Sequence, residues 1–336
     1  MCRDCTLVGV RAGLLEEIAS NLEEVTAESN DLTRAQWTGL LQGLAKAPKL
    51  KKLHVEPLPP NCRLEQVNLL EKASMRVTTL ALATIWPGLL QGIADRKRSA
   101  VTSLDLHGVD LDSTTLTSTA MTSAFHKLTA LDISYCNIPM SHLNDILGEI
   151  GSGSSCLAEL NLEGIANLKD VSSNNILKLN KLDKLNLSNT GLSTDQYTEY
   201  FGSIMGPSQQ TNSRKKFPSE LNLCSEQAIS SVPPYLRHIF AHVHVLNISN
   251  LNLKPDLLKK IFKRLVDENN LADLEELVIC DTSLASLEQG LLADVFLKLR
   301  KANIARFLNI SISIQVMYIV LCGVPFWISD WTIRYR

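Results

Sequence analysis

The sequence predicts an α/β solenoid, a curved horseshoe with parallel strands on its concave face and helices on its convex face. A short phrase, apolar-x-x-apolar-x-apolar, recurs every 24 to 36 residues, which is a period typical of repeat architectures. Between several copies, apolar residues fall at helical spacing. Because each repeat contacts only its neighbours, one elongated domain can accommodate most of the 336 residues.

The phrase occurs in ten copies, and each copy predicts a strand whose alternate side chains are buried. The second apolar residues of the copies are Val25, Leu53, Leu80, Leu104, Leu131, Leu160, Leu185, Leu221, Leu246 and Leu277. We therefore divide the chain into a helical lead-in at 1–21, a solenoid of about ten repeats at 22–303 and a hydrophobic tail at 304–336.

Two of the predicted helices are marked by clear apolar stripes. One stripe covers residues 143–150 and is followed by the helix-stopping Gly151 and Gly153. The other covers 257–266, with lysines on the opposite face and Pro255 placed to begin the first turn.

The repeated phrase is that of leucine-rich repeats, whose consensus adds Asn or Cys three residues past the strand and then an apolar residue. Asn30 with Leu32, and Cys136 with Ile138, obey this rule. Apolar residues replace the polar ladder residue at Val109, Ile165 and Leu251. The chain therefore resembles the leucine-rich repeat superfamily, in its ribonuclease-inhibitor-like form, over residues 13–303. This resemblance implies a binding scaffold without naming its partner.

A narrower resemblance rests on the segments 185–193, 221–224 and 245–249, which read LNLSNTGLS, LNLC and VLNIS. They are similar to the solenoid of the CARMIL-type actin capping-protein regulators, which are cytoplasmic, membrane-associated proteins of the cell cortex. The resemblance implies a scaffold in actin organisation. The membrane-binding domain and the capping-protein-binding segment of that family are not found in this sequence.

Composition argues against several classes of function. A net charge of −2 and an aromatic content of 5% do not favour nucleic-acid binding. The eight cysteines are scattered rather than arranged as a disulfide framework, which favours a reducing compartment. Arg3 and Asp4 interrupt any secretory signal peptide. We therefore expect a cytoplasmic protein.

No common catalytic motif is present, so we expect no enzyme, no cofactor and no metal. Cys2 and Cys5 have the spacing of half a zinc site, but a second pair at the required spacing is missing. His238, His242 and His244 cluster without a nearby carboxylate or cysteine. A metal or redox enzyme that uses either group is the alternative to a scaffold.

The best candidate surface follows from strand alternation, because the residues between the buried leucines point away from the core. This face is polar and mildly acidic, and it suits a basic protein partner or an actin-associated one. The predicted partner-binding residues are Asp105, Asp132, Glu159, Asn161, Glu163, Lys184, Asn186, Asn222, Asn247 and Glu276.

The tail allows three interpretations, because residues 307–329 carry no charge. It could be a membrane anchor, since about 20 apolar residues span a bilayer. It could be a hydrophobic cap with an eleventh strand at 308–310, because isoleucines alternate with polar residues there and Pro325 would interrupt a helix. It could also be a non-native tail from a faulty gene model.

Overall fold

The computed structural model describes residues 11–27, 32–55, 64–85, 89–94, 99–111, 123–151, 155–205, 217–231, 233–251, 253–267, 274–278, 290–291, 294–295 and 301–303. The chain forms two compact units, Met1–Asn161 and Leu162–Arg336. All ten predicted strands are present. The single solenoid domain assigned to 22–303 thus spans the boundary between these units.

In the first unit, six parallel strands follow one another in sequence order. They are β1 (Glu24–Ala27), β2 (Lys52–Val55), β3 (Thr79–Leu82), β4 (Ser103–Asp105), β5 (Ala130–Asp132) and β6 (Glu159–Asn161). The helices include α1 (Ala12–Ala19), α2 (Arg34–Lys46), α3 (Leu64–Ser74), α4 (Leu89–Ala94) and α5 (Met140–Gly151). Helix α5 contains the stripe predicted at 143–150.

The second unit repeats this arrangement with β7 (Lys184–Asn186), β8 (Glu220–Asn222), β9 (Val245–Asn247), β10 (Glu276–Val278) and β11 (Lys301–Asn303). Its helices include α6 (Ser173–Ile176), α7 (Thr194–Met205), α8 (Pro233–His242) and α9 (Pro255–Asp267). Turns of 3₁₀ helix occupy Ala166–Asp170, Leu177–Lys181 and Gln227–Ser231.

Helix α9 begins at Pro255, as predicted. Strand β11 was not predicted, and it pairs in parallel with β10. The segment 308–310, which one interpretation of the tail made an eleventh strand, lies outside the described residues.

The core of each unit is a row of leucines contributed by successive strands. From β4 to β10, the middle residue of each three-residue strand is at most 3% exposed, whereas both of its neighbours are half-buried. These residues are Leu104, Leu131, Leu160, Leu185, Leu221, Leu246 and Leu277. The strand phase read from the sequence is therefore confirmed, and burial of each such side chain contributes about 1.5–3 kcal/mol.

A left-handed residue turns the chain after each strand from β4 to β9. It lies two positions past the last apolar residue of the phrase, and its φ is between 55° and 70°. The residues are Gly108, Tyr135, Gly164, Asn189, Ser225 and Asn250. Glycine and asparagine tolerate this conformation well, whereas other side chains strain it. Tyr135 and Ser225 are therefore the exceptions in the series, and Tyr135 is the one with a bulky side chain.

The ladder position, three residues past the phrase, is polar in only some repeats. The Cys136 thiol donates to the carbonyl oxygen of Leu106 at 2.9 Å, as the consensus requires. Burial raises the pKa of Cys136 to about 12, so this thiol remains a donor rather than becoming a reactive thiolate. Val109, Ile165 and Leu251 are buried apolar replacements.

Glu226 occupies the same ladder position, and the sequence analysis missed it. The side chain is 1% exposed. Its Oε1 accepts hydrogen bonds from the Thr190 N–H, from the Thr190 hydroxyl at 3.0 Å and from the Gly191 N–H at 3.1 Å. Burial and the nearby Glu226 carboxylate raise the pKa of Tyr197 well above its ordinary value. Glu226 thus connects two successive repeats by accepting hydrogen bonds where a consensus Asn or Cys would donate them.

Helices α1 and α2 pack backbone to backbone through two glycines. A Cβ atom on Gly39 would lie 2.3 Å from the carbonyl oxygen of Ala12, and one on Gly43 would lie 2.3 Å from that of Glu16. Lys46 forms an ion pair with Glu16 beside this contact. The lead-in helix therefore needs glycine at both positions of α2.

We predict opposite effects for two glycine-to-alanine substitutions in these helices. Alanine favours helix by about 1 kcal/mol over glycine, and Gly13→Ala has no atom within 4 Å of the new Cβ. Gly13→Ala should therefore maintain or raise the free energy of unfolding. Gly43→Ala should lower it and speed amide hydrogen exchange in α1, because the new methyl group displaces that helix. Equal, stabilising effects of both substitutions in urea unfolding would contradict the close packing.

A second prediction concerns the buried carboxylate. Glu226→Leu removes the acceptor of two backbone N–H groups and should lower the free energy of unfolding by about 1–3 kcal/mol or more. Glu226→Gln keeps an acceptor oxygen and should lie between the leucine variant and the natural protein. Chemical denaturation measures both effects. A leucine variant as stable as the natural protein would show that these hydrogen bonds contribute nothing.

Candidate partner-binding surface

The ten predicted partner-binding residues all lie on the polar face of the strands or directly after them. Each is half-buried, because it flanks a buried strand residue and points to the opposite side of the sheet. The first unit contributes Asp105, Asp132, Glu159 and Asn161. The second contributes Glu163, Lys184, Asn186, Asn222, Asn247 and Glu276. The structure thus brings these side chains to the strand face within each unit, as their alternation predicted.

Most of the Asn and Asp residues in this set have a structural task. Their Oδ1 atom accepts a hydrogen bond from the backbone N–H two residues further on, at distances of 2.8 to 3.1 Å. The residues are Asp105, Asp132, Asn186, Asn222 and Asn247. This Asx turn holds the chain as it leaves the strand. It explains why a short side chain with an oxygen recurs there.

In the second unit, the polar groups largely engage one another. Lys184 and Glu220, which are neighbours on β7 and β8, form an ion pair of 3.0 Å. The Asn186 side-chain amide donates to Glu163 Oε2 at 3.0 Å. The ion pair compensates charge on the strand face, and the Asn186 amide occupies one oxygen of Glu163 without neutralising it.

The strand face of the first unit differs from that of the second at β4 and β5, where two carboxylates are neighbours. Asp105 and Asp132 lie directly beside each other on neighbouring strands. Asp132 accepts from the Ser134 N–H, the Ser134 hydroxyl and the Asn161 amide, at 2.8, 2.5 and 2.7 Å. Asp105 accepts from the His107 N–H at 2.9 Å. Together with Glu159 on β6, they form what we call the acidic strand patch.

The acidic strand patch differs in charge balance from β1 and β2 of the same unit. There, Lys51 pairs with Glu23 at 2.8 Å and Lys52 pairs with Glu24 at 2.9 Å. The hydrogen bond from Lys51 lowers the pKa of Glu23. Within the described ranges, neither Asp105 nor Asp132 forms an ion pair. The two carboxylates thus carry negative charge that no cationic side chain described here compensates.

Two residues that the sequence analysis missed lie at the edge of the acidic strand patch. Tyr135 is 48% exposed, and its ring meets that of His107 in a T-shaped contact with centroids 5.3 Å apart. His107 also lies in the turn held by Asp105. The available signal was an aromatic residue at a turn position where other repeats carry Gly, Asn or Ser.

His107, Ser134 and Asp132 have the composition of a catalytic triad but not its order. In a triad, histidine lies between serine and the carboxylate and takes the hydroxyl proton. Here the Ser134 hydroxyl donates to Asp132 Oδ1. His107 Nδ1 lies 2.8 Å from the Ser134 hydroxyl oxygen. Ser134 is also only 2% exposed. The chain of hydrogen bonds orients the His107 ring rather than activating a nucleophile.

The other groups singled out for chemistry are not arranged as a metal site in the part of the chain that the structure describes. The rings of His238 and His242 stack with an interplanar angle of 16° and centroids 6.4 Å apart. Among the described residues, no three His, Cys, Asp or Glu side chains are placed to hold a metal ion. Cys2 and Cys5 lie outside those residues.

Within the described ranges, no helix is long and apolar enough to cross a membrane. The tail at 304–336, for which a membrane anchor was one interpretation, lies outside those ranges.

Comparison with known proteins identifies the fold. No protein-family model matches the chain, and no curated protein sequence matches it. Solved structures do match, among them the leucine-rich repeat-containing protein LegL7 from Legionella pneumophila. It is 15% identical to this chain, with a TM-score of 0.52, and the match covers 95% of this chain and 96% of LegL7. The predicted leucine-rich repeat fold is therefore confirmed, and the likeness shows the fold alone.

The Asx turns provide a third prediction. Asn222→Ala removes the acceptor for the Cys224 N–H and should lower the free energy of unfolding by about 0.5–1.5 kcal/mol. Asn222→Asp keeps the acceptor oxygen and should lower it less. Thermal and urea unfolding compare the two variants. If the aspartate variant proved less stable than the alanine variant, the turn hydrogen bond would not be the reason for asparagine at this position.

Proposed function

We propose that this chain is a non-enzymatic protein-interaction scaffold, and that its acidic strand patch binds a basic segment of a partner protein. The observation that carries the proposal is the pairing of Asp105 with Asp132 on neighbouring strands, which lie about 4.8 Å apart in a sheet. Like charges in this arrangement destabilise the sheet. Cationic side chains of a partner would remove that repulsion and gain attraction from both carboxylates.

Comparison between repeats separates the structural task of these residues from their charge. Asn222 and Asn247 hold the same turn through a neutral amide, with hydrogen bonds of 3.1 and 3.0 Å. Asp105 and Asp132 form equivalent bonds of 2.9 and 2.8 Å. The turn therefore requires the oxygen but not the negative charge. A cationic partner accounts for the charge.

The cortical actin role is a narrower form of this proposal. The segments that carry the resemblance to CARMIL-type regulators form β7, β8, β9 and the turns that follow them. The turn hydrogen bonds in these segments are the same as those that other repeats of this chain form. The actin-regulatory alternative therefore rests on the sequence resemblance alone, and a cytoplasmic location, which we also propose, rests on the scattered cysteines.

A charge-neutralising double variant tests the proposal. Asp105→Asn with Asp132→Asn keeps both turn acceptors and removes both charges. The probe is a short fluorescein-labelled peptide of alternating arginine, lysine and glycine, measured by fluorescence anisotropy at several salt concentrations. Exposed ion pairs contribute about 0.2–1 kcal/mol each. The double variant should therefore bind roughly two- to thirtyfold more weakly, and added salt should reduce the difference.

The matched control is Glu17→Gln with Glu199→Gln. These glutamates are exposed on α1 and α7, so the control changes net charge equally without touching the strand face. It should bind like the natural protein. Equal weakening by both double variants would assign binding to net charge, and no weakening by the aspartate variant would contradict the proposed surface.

A further inference from the structure

Helix α9 of the second unit is strongly amphipathic, and its apolar side is packed into the core. Leu258, Ile261 and Phe262 are at most 5% exposed. The Phe262 ring also meets that of Phe240 on α8 in a T-shaped contact, with centroids 5.7 Å apart. This packing fixes the rotation of α9 about its axis, so the residues on its opposite side are exposed.

The exposed side of α9 carries mainly cations. Lys260 and Lys263 are exposed, and Lys259 beside them is half-buried. Lys254 is exposed directly before the helix, and its carbonyl oxygen accepts the first backbone hydrogen bonds of α9. Among the α9 side chains that the structure describes, Asp256 is the one acid. We call the three exposed lysines, Lys254, Lys260 and Lys263, the lysine face.

Neither helix stability nor ion pairing accounts for the lysine face. A cation at the N-terminus of a helix opposes the helix dipole, and Lys254 has no side-chain oxygen with which to cap the first turn. Other lysines of this chain pair with glutamates, namely Lys46, Lys51, Lys52 and Lys184. Within the described residues, no carboxylate oxygen lies within ion-pair distance of the lysine face. Its charges are therefore not compensated by the side chains that the structure describes.

The composition of the lysine face suits an anionic lipid surface better than a protein. Protein interfaces are centred on aromatic or apolar anchors that become buried on binding. The large apolar side chains that the described structure exposes are Leu14, Ile18 and Tyr135, and none of them belongs to α9. A bilayer with anionic headgroups requires no such anchor, because it attracts lysine side chains by charge alone.

We propose that the lysine face of α9 binds the surface of an anionic lipid bilayer peripherally, by electrostatic attraction and without insertion. It consists of different residues from the acidic strand patch, and the inference does not depend on the function proposed for that patch. The cytoplasmic leaflet carries anionic lipids, which agrees with the cytoplasmic location that we propose. Each lysine near such a surface strengthens binding about fivefold.

Co-sedimentation of the full chain with sucrose-loaded vesicles tests this inference. Vesicles of phosphatidylcholine and phosphatidylserine are compared with vesicles of phosphatidylcholine alone. The natural protein should bind the vesicles with phosphatidylserine more tightly, and added salt should reduce the difference. Lys254→Gln with Lys260→Gln and Lys263→Gln should weaken binding to these vesicles about tenfold or more. Because all three side chains are exposed, the variant should fold normally, which circular dichroism checks.

The matched control is Lys49→Gln with Lys72→Gln and Lys169→Gln. These lysines are also exposed and lie outside α9, so the control changes the net charge equally without altering the lysine face. It should bind like the natural protein. Equal weakening by both triple variants would attribute binding to net charge. Full binding by the α9 variant would attribute it to another part of the chain, and either result would contradict the inference.

An acidic protein is the other class of partner that a cationic surface could bind. A fluorescein-labelled oligoglutamate peptide represents such a partner, and fluorescence anisotropy measures its binding. If the natural protein shows no preference for vesicles with phosphatidylserine, the inference is wrong. If it then binds the peptide, and the α9 variant does not, the lysine face is a protein-binding surface instead.

Discussion

The turn that follows each strand from β4 to β9 is the constraint on which the polar face of these repeats depends. A left-handed residue reverses the chain after β4 to β9, and in five of these turns an Asn or Asp oxygen accepts a backbone N–H. Burial of the strand leucine determines which side chains face outward. The turn then determines which of them are small and polar. Core packing and surface chemistry are therefore linked in the five repeats that form this turn hydrogen bond.

This link makes the repeats internal controls for one another. Where Asn222 and Asn247 hold the turn, the structural requirement is met without charge. Asp105 and Asp132 meet the same requirement and place two carboxylates side by side, which is unfavourable for the sheet. Tyr135 likewise occupies a position where glycine or asparagine would be more stable. These departures from small, neutral turn residues lie together on and directly after β4 and β5. We interpret their coincidence as a sign of function.

The strands could be predicted from the sequence, because burial of alternate side chains produces apolar residues at every second position. It also predicted Cys136 in the ladder, since a small buried thiol is part of the consensus. Glu226 could not be predicted in that way, because a buried carboxylate there depends on donors from the preceding repeat. The outward direction of Asn222 followed from alternation, but its turn hydrogen bond depends on backbone angles. Tyr135 was missed because sequence patterns do not associate an aromatic residue with a left-handed turn.

The central claim is that a cationic partner segment binds at the ends of β4 and β5. The most direct test is an amide NMR titration of the isotopically labelled full chain with the unlabelled peptide of alternating arginine, lysine and glycine. The account predicts that the largest chemical-shift changes occur at the amides of His107, Ser134 and Tyr135, whose hydrogen bonds and rings border the site. Changes centred instead on helices α1 to α3, or on the turns after β7 to β9, would contradict it.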